Sequence, residues 1–211
     1  SSWNMELASQ YGQALSEEAN YREKDVQLAP GVNIARTPLN GRNFEYMGED
    51  PFLVSKIAVP YIKAIQDNGI AVCVKHFALN NQEYQRDTVN VEVSERALRE
   101  IYLPAFKAAV TEAGAWSVMG AYNKFRGQYC CHNNYLINDI LKGEWKFDGA
   151  VISDWSGTKN AYEAAMNGLD IEMGTLKPYN EYYMADSLLY FVRNGKVPME
   201  KLDDKVFLNL I

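Results

Sequence analysis

Short apolar runs alternate along this chain with longer segments whose apolar residues recur at helical spacing, and glycines stop the segments. Trp3, Leu7, Tyr11 and Leu15 mark one face of a helix expected near residues 2–23. A strand-like run from Val26 to Ile34 follows. Pro51 suits a first helical turn and opens a helix to about Asp67, with Gly69 ending it. Ala71-Val72-Cys73-Val74 reads as a buried strand leading into Lys75-His76. Ser94 caps a helix running to about Ala113, bent at Pro104 and stopped by Gly114. Strands are expected from Trp116 to Tyr122, Gly149 to Asp154 and Gly168 to Met173, and helices near 134–143, Ala161 to Met166, Tyr179 to Arg193 and Pro198 to Leu210. Strands separated by helices imply a parallel sheet with helical crossovers. No GxGxxG or GxxxxGK[ST] turn occurs, and the loops after the strands are long. The fold class expected is therefore α/β, a TIM-type (β/α) barrel rather than an open doubly wound sheet. Only five strands are visible where a closed barrel has eight. The barrel is expected to be incomplete, with its first-strand region missing upstream of Ser1.

The bulk of the chain narrows the partners. Its 211 residues are 47% hydrophobic and 23% charged, enough for one sizeable core. A net charge of -6 argues against nucleic acid or an anionic membrane as a main partner. No apolar stretch reaches membrane-spanning length. Cys73 lies in an apolar strand, and Cys130 and Cys131 are neighbours, so no disulfide framework or CxxC metal site is indicated. His132 beside Cys131 reads as a residue of a solvated loop. No metal or cofactor is expected.

Polar clusters stand at four strand ends. Arg36, Arg42 and Glu45 follow the first, and Lys75-His76 end the second, with Glu83 and Arg86 in its loop. Tyr122-Asn123 end the third and Asp154-Trp155 the fourth. In a parallel βα array these tips face one mouth, where such folds place their chemistry. Asp154 beside Trp155 suits a sugar, which stacks an apolar ring face on an indole and meets a carboxylate at its anomeric carbon. Cations around Asp154 are expected to keep it ionised. Glu45 and Glu83 read as partners of the arginines. Lys75 and His76 are adjacent, yet both are expected to face the mouth. A regular strand sends neighbours to opposite sides. A bulge or a cis peptide is therefore expected within residues 74 to 78.

Seven motifs occur in order: Asn33-Ile34-Ala35-Arg36-Thr37-Pro38, Gly41-Arg42-Asn43-Phe44-Glu45-Tyr46, Glu49-Asp50-Pro51, Lys75-His76-Phe77, Asn81-Gln82-Glu83, Arg96 through Tyr102, and Ser153-Asp154-Trp155. With them the chain resembles glycoside hydrolase family 3, in its β-glucosidase branch, over nearly its whole length. It does not resemble the family's bacterial N-acetylhexosaminidases, because Ala78-Leu79-Asn80-Asn81 follows where those have a Pro-Gly-His-Gly loop. The resemblance implies a retaining exo-β-glucosidase in which Asp154 is the nucleophile and forms a covalent glycosyl-enzyme. It implies that Arg42, Lys75, His76 and Arg86 bind sugar hydroxyls, that Tyr122 lies near the nucleophile, and that Trp155 lines the neighbouring subsite. The partner implied is a β-glucoside or short β-glucan oligosaccharide. Residues 1–211 would then be the catalytic barrel domain, incomplete, with a following α/β sandwich domain absent. The general acid/base would come from outside this chain, leaving the isolated piece inactive or nearly so. Two other readings stay open on the residues alone. One is a Schiff-base aldolase barrel using Lys75; the other is a sugar-binding barrel without catalysis.

Overall fold

The computed structural model describes residues 3–208. Its strands are β1 (Val26–Gln27), β2 (Ala71–Phe77), β3 (Asn90–Val91), β4 (Ser117–Gly120), β5 (Lys124–Phe125), β6 (Gln128–Tyr129) and β7 (Ala150–Ile152). Its α-helices are α1 (Met5–Tyr21), α2 (Pro51–Gln66), α3 (Glu95–Ala97), α4 (Pro104–Thr111), α5 (Ala161–Met166), α6 (Leu188–Arg193) and α7 (Met199–Leu208).

The main sheet is parallel with order β1-β2-β4-β7, in register at Val26–Ala71, Cys73–Ser117 and Val118–Val151. A parallel bridge from Ile152 to Ile171 continues it. Each strand lies beside its predecessor in the chain, with no reversal of order. That is the winding of a (β/α) barrel; a doubly wound sheet reverses at a switch point.

The apolar runs are continuous because both sheet faces are covered. Val72, Val74, Val118 and Val151 point outward and pack with Ile62, Phe106 and Ile140 of the helical layer. Cys73, Met119 and Ile152 point the other way and form an inner cluster with Leu28, Ile171 and Met173. Period-two alternation thus divides each strand between an outer core and an inner barrel layer.

Several expected elements are shorter or broken. The Val26–Ile34 run pairs as a strand only at Val26–Gln27. Pro30 has no N–H to give, and the segment continues through bridges from Gly31 to Lys75 and Tyr46. Gly168–Met173 makes one bridge, at Ile171, instead of a strand. The helix from Ser94 breaks where Pro104 lacks its donor: Leu98–Tyr102 is π-helical, and Leu103 N bonds Leu98 O at 2.9 Å before α4 begins. The short helix near 134 is also π-helical, over Tyr135–Glu144. The helix expected over Tyr179–Arg193 is interrupted by non-helical Met184 and Ala185, where the Glu172 carboxylate takes the Met184 N–H at 2.7 Å. A second small sheet, β3-β5-β6, was not expected. Its hairpin turns at Arg126 and Gly127, both with positive φ, as a two-residue primed turn requires. Residue 2 of the first expected helix and residues 209 and 210 of the last lie outside the described residues. No helix among the described residues is long and apolar enough to cross a membrane.

Candidate active site

The site is built where β2, β4 and β7 end. β2 loses its regular register between Val74 and Phe77, and the Lys75–His76 and Phe77–Ala78 peptides are cis. The irregularity expected over residues 74 to 78 is therefore present. Asn33 clasps the turn from below: its Oδ1 accepts from His76 N at 2.7 Å and its Nδ2 donates to His76 O at 2.9 Å.

His76 is buried, with Nε2 3.7 Å from Asp154 Oδ2 and Nδ1 3.4 Å from the Tyr46 hydroxyl. Burial, reinforced by Arg42, Lys75 and Arg86, pushes its pKa down to about 2, so the imidazole is neutral. An unfolded histidine titrates near 6.5, so between these values the unfolded chain binds the extra proton. His76 therefore favours the fold above pH ~6.5, and that contribution is lost as pH falls. The stability difference between wild type and His76→Asn, read from urea midpoints, is expected to shrink by about 1.4 kcal/mol per pH unit below ~6.5. A pH-independent difference would contradict the neutral assignment.

Asp154 lies two residues past the end of β7 and is 5% exposed. Its Oδ1 accepts from Trp155 N at 2.8 Å. Its Oδ2 has no hydrogen-bond partner among the described residues. Burial raises the Asp154 pKa; the Trp155 N–H, the nearby Tyr122 hydroxyl, Arg42 and Arg86 pull the other way but do not cancel it. The shift therefore runs against the expectation that nearby cations favour the ionised form of Asp154. Removal from water outweighs charges that are themselves engaged by other carboxylates.

Those engagements are specific. Arg42 grips Glu45 with both arms of its guanidinium, at 2.8 and 3.0 Å. Lys75 Nζ lies 3.6 Å from the same carboxylate. Burial of Glu45 opposes its charge, but Arg42 and Lys75 win and hold its pKa below the ordinary value. Arg86 bonds Glu83 at 2.6 Å and lies 4.3 Å over the Tyr122 ring. The Tyr122 hydroxyl donates to Trp155 O at 2.9 Å. Glu45 and Glu83 are thus the arginine partners expected.

After Asp154 the chain turns sharply. Gly157 N bonds Asp154 O at 2.8 Å, and Ser156 takes a φ of 58°. The turn leaves Trp155 45% exposed, so it is not a core residue. Trp155, Tyr122, Arg86, Ser156, Lys159 and Leu176 line a cleft of about 480 Å³, within the size of small-molecule sites. A larger groove of about 600 Å³ lies between α1, α2 and the β1 edge, lined mainly by apolar residues such as Leu7, Tyr11, Leu28 and Tyr61. Its polar end reaches Lys75 and Glu45, so it borders the site, but Asp154 is not among its lining residues.

The structure thus gathers His76, Asp154, Tyr122, Trp155 and Arg86 in one chain of contacts. Arg42 and Lys75 join it through Glu45 and the Lys75–His76 peptide. Sequence reasoning missed Asn80, whose buried Oδ1 is also unpartnered among the described residues, and Asn33. Asn33 sits in the motif before Pro38, but nothing in a sequence shows that its amide clasps a peptide 43 residues away. His132 is a further correction: it is fully buried, not solvated.

Comparison with known proteins shows the family. The model of the glycosyl hydrolase family 3 N terminal domain matches residues 1–207. A β-glucosidase of Bacteroides ovatus is 61% identical over 97% of this chain, which spans 28% of that protein's length. β-Glucosidase 3B from Thermotoga neapolitana in complex with glycerol superimposes with a TM-score of 0.92 at 43% identity, covering 98% of this chain and 29% of the neighbour. The same enzyme in complex with glucose gives 0.91 at 44% identity, covering 97% and 29%.

Proposed function

The chain belongs to glycosyl hydrolase family 3, and on that premise we propose that it carries the nucleophile side of a retaining exo-β-glucosidase site, with Asp154 attacking the anomeric carbon. One observation carries the reading most: a buried carboxylate at a strand tip whose Oδ2 has no hydrogen-bond partner among the described residues, with a neutral histidine 3.7 Å away. An atom in that state is available to form a bond. Relatives and neighbours named as β-glucosidases, one of them in complex with glucose, support the substrate class.

In the mechanism, Asp154 Oδ2 attacks and the glycosidic oxygen leaves with a proton from a general acid. Glu45 and Glu83 are poor candidates for that acid. Each is tied to a guanidinium, and the pKa of Glu45 is lowered where an acid needs it raised. The acid is therefore proposed to come from polypeptide outside this sequence, which spans under a third of the relatives it matches. Arg42, Lys75, His76 and Arg86 are proposed to hold the hydroxyls of the sugar. Trp155 is proposed as the stacking platform of the next subsite, consistent with its exposure at the cleft. Water then hydrolyses the ester, and the anomeric configuration is retained.

The aldolase reading is disfavoured by the surroundings of Lys75. An ion pair with Glu45 is unlike the apolar or cation-flanked setting that activates a Schiff-base lysine. The test is mass spectrometry of the full-length protein after an activated 2-fluoro-β-glucoside. One added fluoroglucosyl mass on the peptide containing Asp154 is expected. A turnover-competent protein with no adduct, or an adduct on another carboxylate, would refute the assignment.

A further inference from the structure

We propose that His132 is a positioning residue for the Asp154 carboxylate, acting through the turn 154–159. The inference rests on the nucleophile reading above and adds a group that reading does not use.

His132 lies at the end of a 3₁₀ turn, Cys130–His132, between β6 and the π-helical segment, and is 0% exposed. A fully buried histidine has its ring positions fixed by what surrounds it. Nε2 accepts the backbone N–H of Lys159 at 3.2 Å, so the proton of the neutral ring sits on Nδ1. Nδ1 lies 2.9 Å from Glu163 Oε2, off the ideal line of the N–H bond but close enough for the carboxylate to favour that tautomer. The backbone oxygen of His132 accepts from Asn167 Nδ2 at 3.0 Å, just past the end of α5. One residue therefore ties the far end of the turn after Asp154 to the helix that follows it.

The residue before it closes the other side. Cys131 Sγ fills the space above Gly157, where a Cβ would come to 2.7 Å of it. The Cys131 backbone is itself seated on Gly120 at the end of β4, where a Cβ would come to 2.6 Å of the Cys131 Cα. Between these supports the turn is held at both ends, by Gly157 N on Asp154 O and by Lys159 N on His132. The Trp155 N–H that orients Asp154 Oδ1 belongs to this turn. Release of Lys159 N would let the turn relax and the carboxylate rotate from its attacking position. Displacements of about 1 Å in a reacting group can cost on the order of 100-fold in rate.

The test uses the full-length protein and two substitutions. His132→Gln keeps an acceptor near the Nε2 position; His132→Leu keeps bulk and removes it. The saturating rate of trapping by an activated 2-fluoro-β-glucoside is compared with the affinity for glucose. His132→Leu is expected to trap roughly 10- to 100-fold more slowly with glucose affinity within about twofold of wild type, and His132→Gln to recover most of the rate. Equal rates in wild type and His132→Leu would overturn the proposal, as would equal slowing in both variants. If His132→Leu does not fold, Glu163→Leu at its partly exposed position carries the test, since loss of the carboxylate frees the tautomer. Slower trapping there supports the proposal and an unchanged rate overturns it. Failure of the wild type to label Asp154 at all would instead refute the nucleophile reading.

Discussion

Asp154→Asn in the full-length protein is expected to lower turnover of aryl β-glucosides by on the order of 10⁴-fold or more, because loss of a nucleophile removes the covalent route itself. The fold should not suffer. Burial raises the Asp154 pKa above its ordinary value, so its contribution to stability is full below the unfolded pKa and is lost as pH rises through the folded one. Wherever the carboxylate is ionised in the fold it therefore weighs against folding. Asparagine keeps the acceptor for Trp155 N and removes the charge, so the variant should melt at or above the wild-type temperature. Inactivity with undiminished stability separates chemistry from unfolding. Retention of more than about a tenth of wild-type turnover would exclude Asp154 as nucleophile. Asp154→Gly with added azide gives a second readout: a small anion entering the vacated position should restore glycosyl transfer and yield a glycosyl azide of inverted configuration.

The largest stability effect is expected at Asp170, away from the chemistry. Its side chain is 2% exposed, and Oδ2 accepts Val151 N at 2.8 Å inside the sheet. Lys142 Nζ bonds both carboxylate oxygens, at 3.1 and 2.8 Å. Lys205 Nζ, from α7, approaches Oδ1 at 3.9 Å while donating to Leu169 O at 2.5 Å. Asp170 thus fastens a lysine of the π-helical segment and the last helix to β7. Asp170→Ala leaves the Lys142 ammonium without its carboxylate and a buried strand N–H without its acceptor. Breaking one side of such a pair costs about 3–5 kcal/mol. The more visible surface network, where Arg99 joins Glu95 and Glu144, is solvent-screened, and each such pair is worth about 0–1 kcal/mol. Urea unfolding of Asp170→Ala and Glu144→Gln side by side would check the ranking. A smaller loss at Asp170 than at Glu144 would show that burial is not the deciding variable.

The sequence by itself determined the class of the fold and which strand tips stand together. Its apolar runs are continuous because both sheet faces are covered, and glycine and proline punctuate them where helices must stop. A (β/α) repeat then sends every strand's C-terminal end to one side, so Lys75-His76, Tyr122 and Asp154-Trp155 could be listed together from chain order alone. The adjacency of Lys75 and His76 even announced the irregular end of β2. Local extents were less legible. Met184 and Ala185 leave the helix because a distant carboxylate, Glu172, takes a backbone N–H, and no window of sequence contains that competition.

Tertiary structure alone decided the electrostatics. The arginines were visible as cations near Asp154, but only folding shows that Glu45 and Glu83 engage Arg42 and Arg86, so that burial governs the nucleophile candidate. His132 followed the same logic. Beside two cysteines it looked like a loop residue, yet long-range packing against the turn after Asp154 buries it completely. Charge is written in a sequence, whereas desolvation and pairing depend on which residues far apart in the chain exclude water from one another.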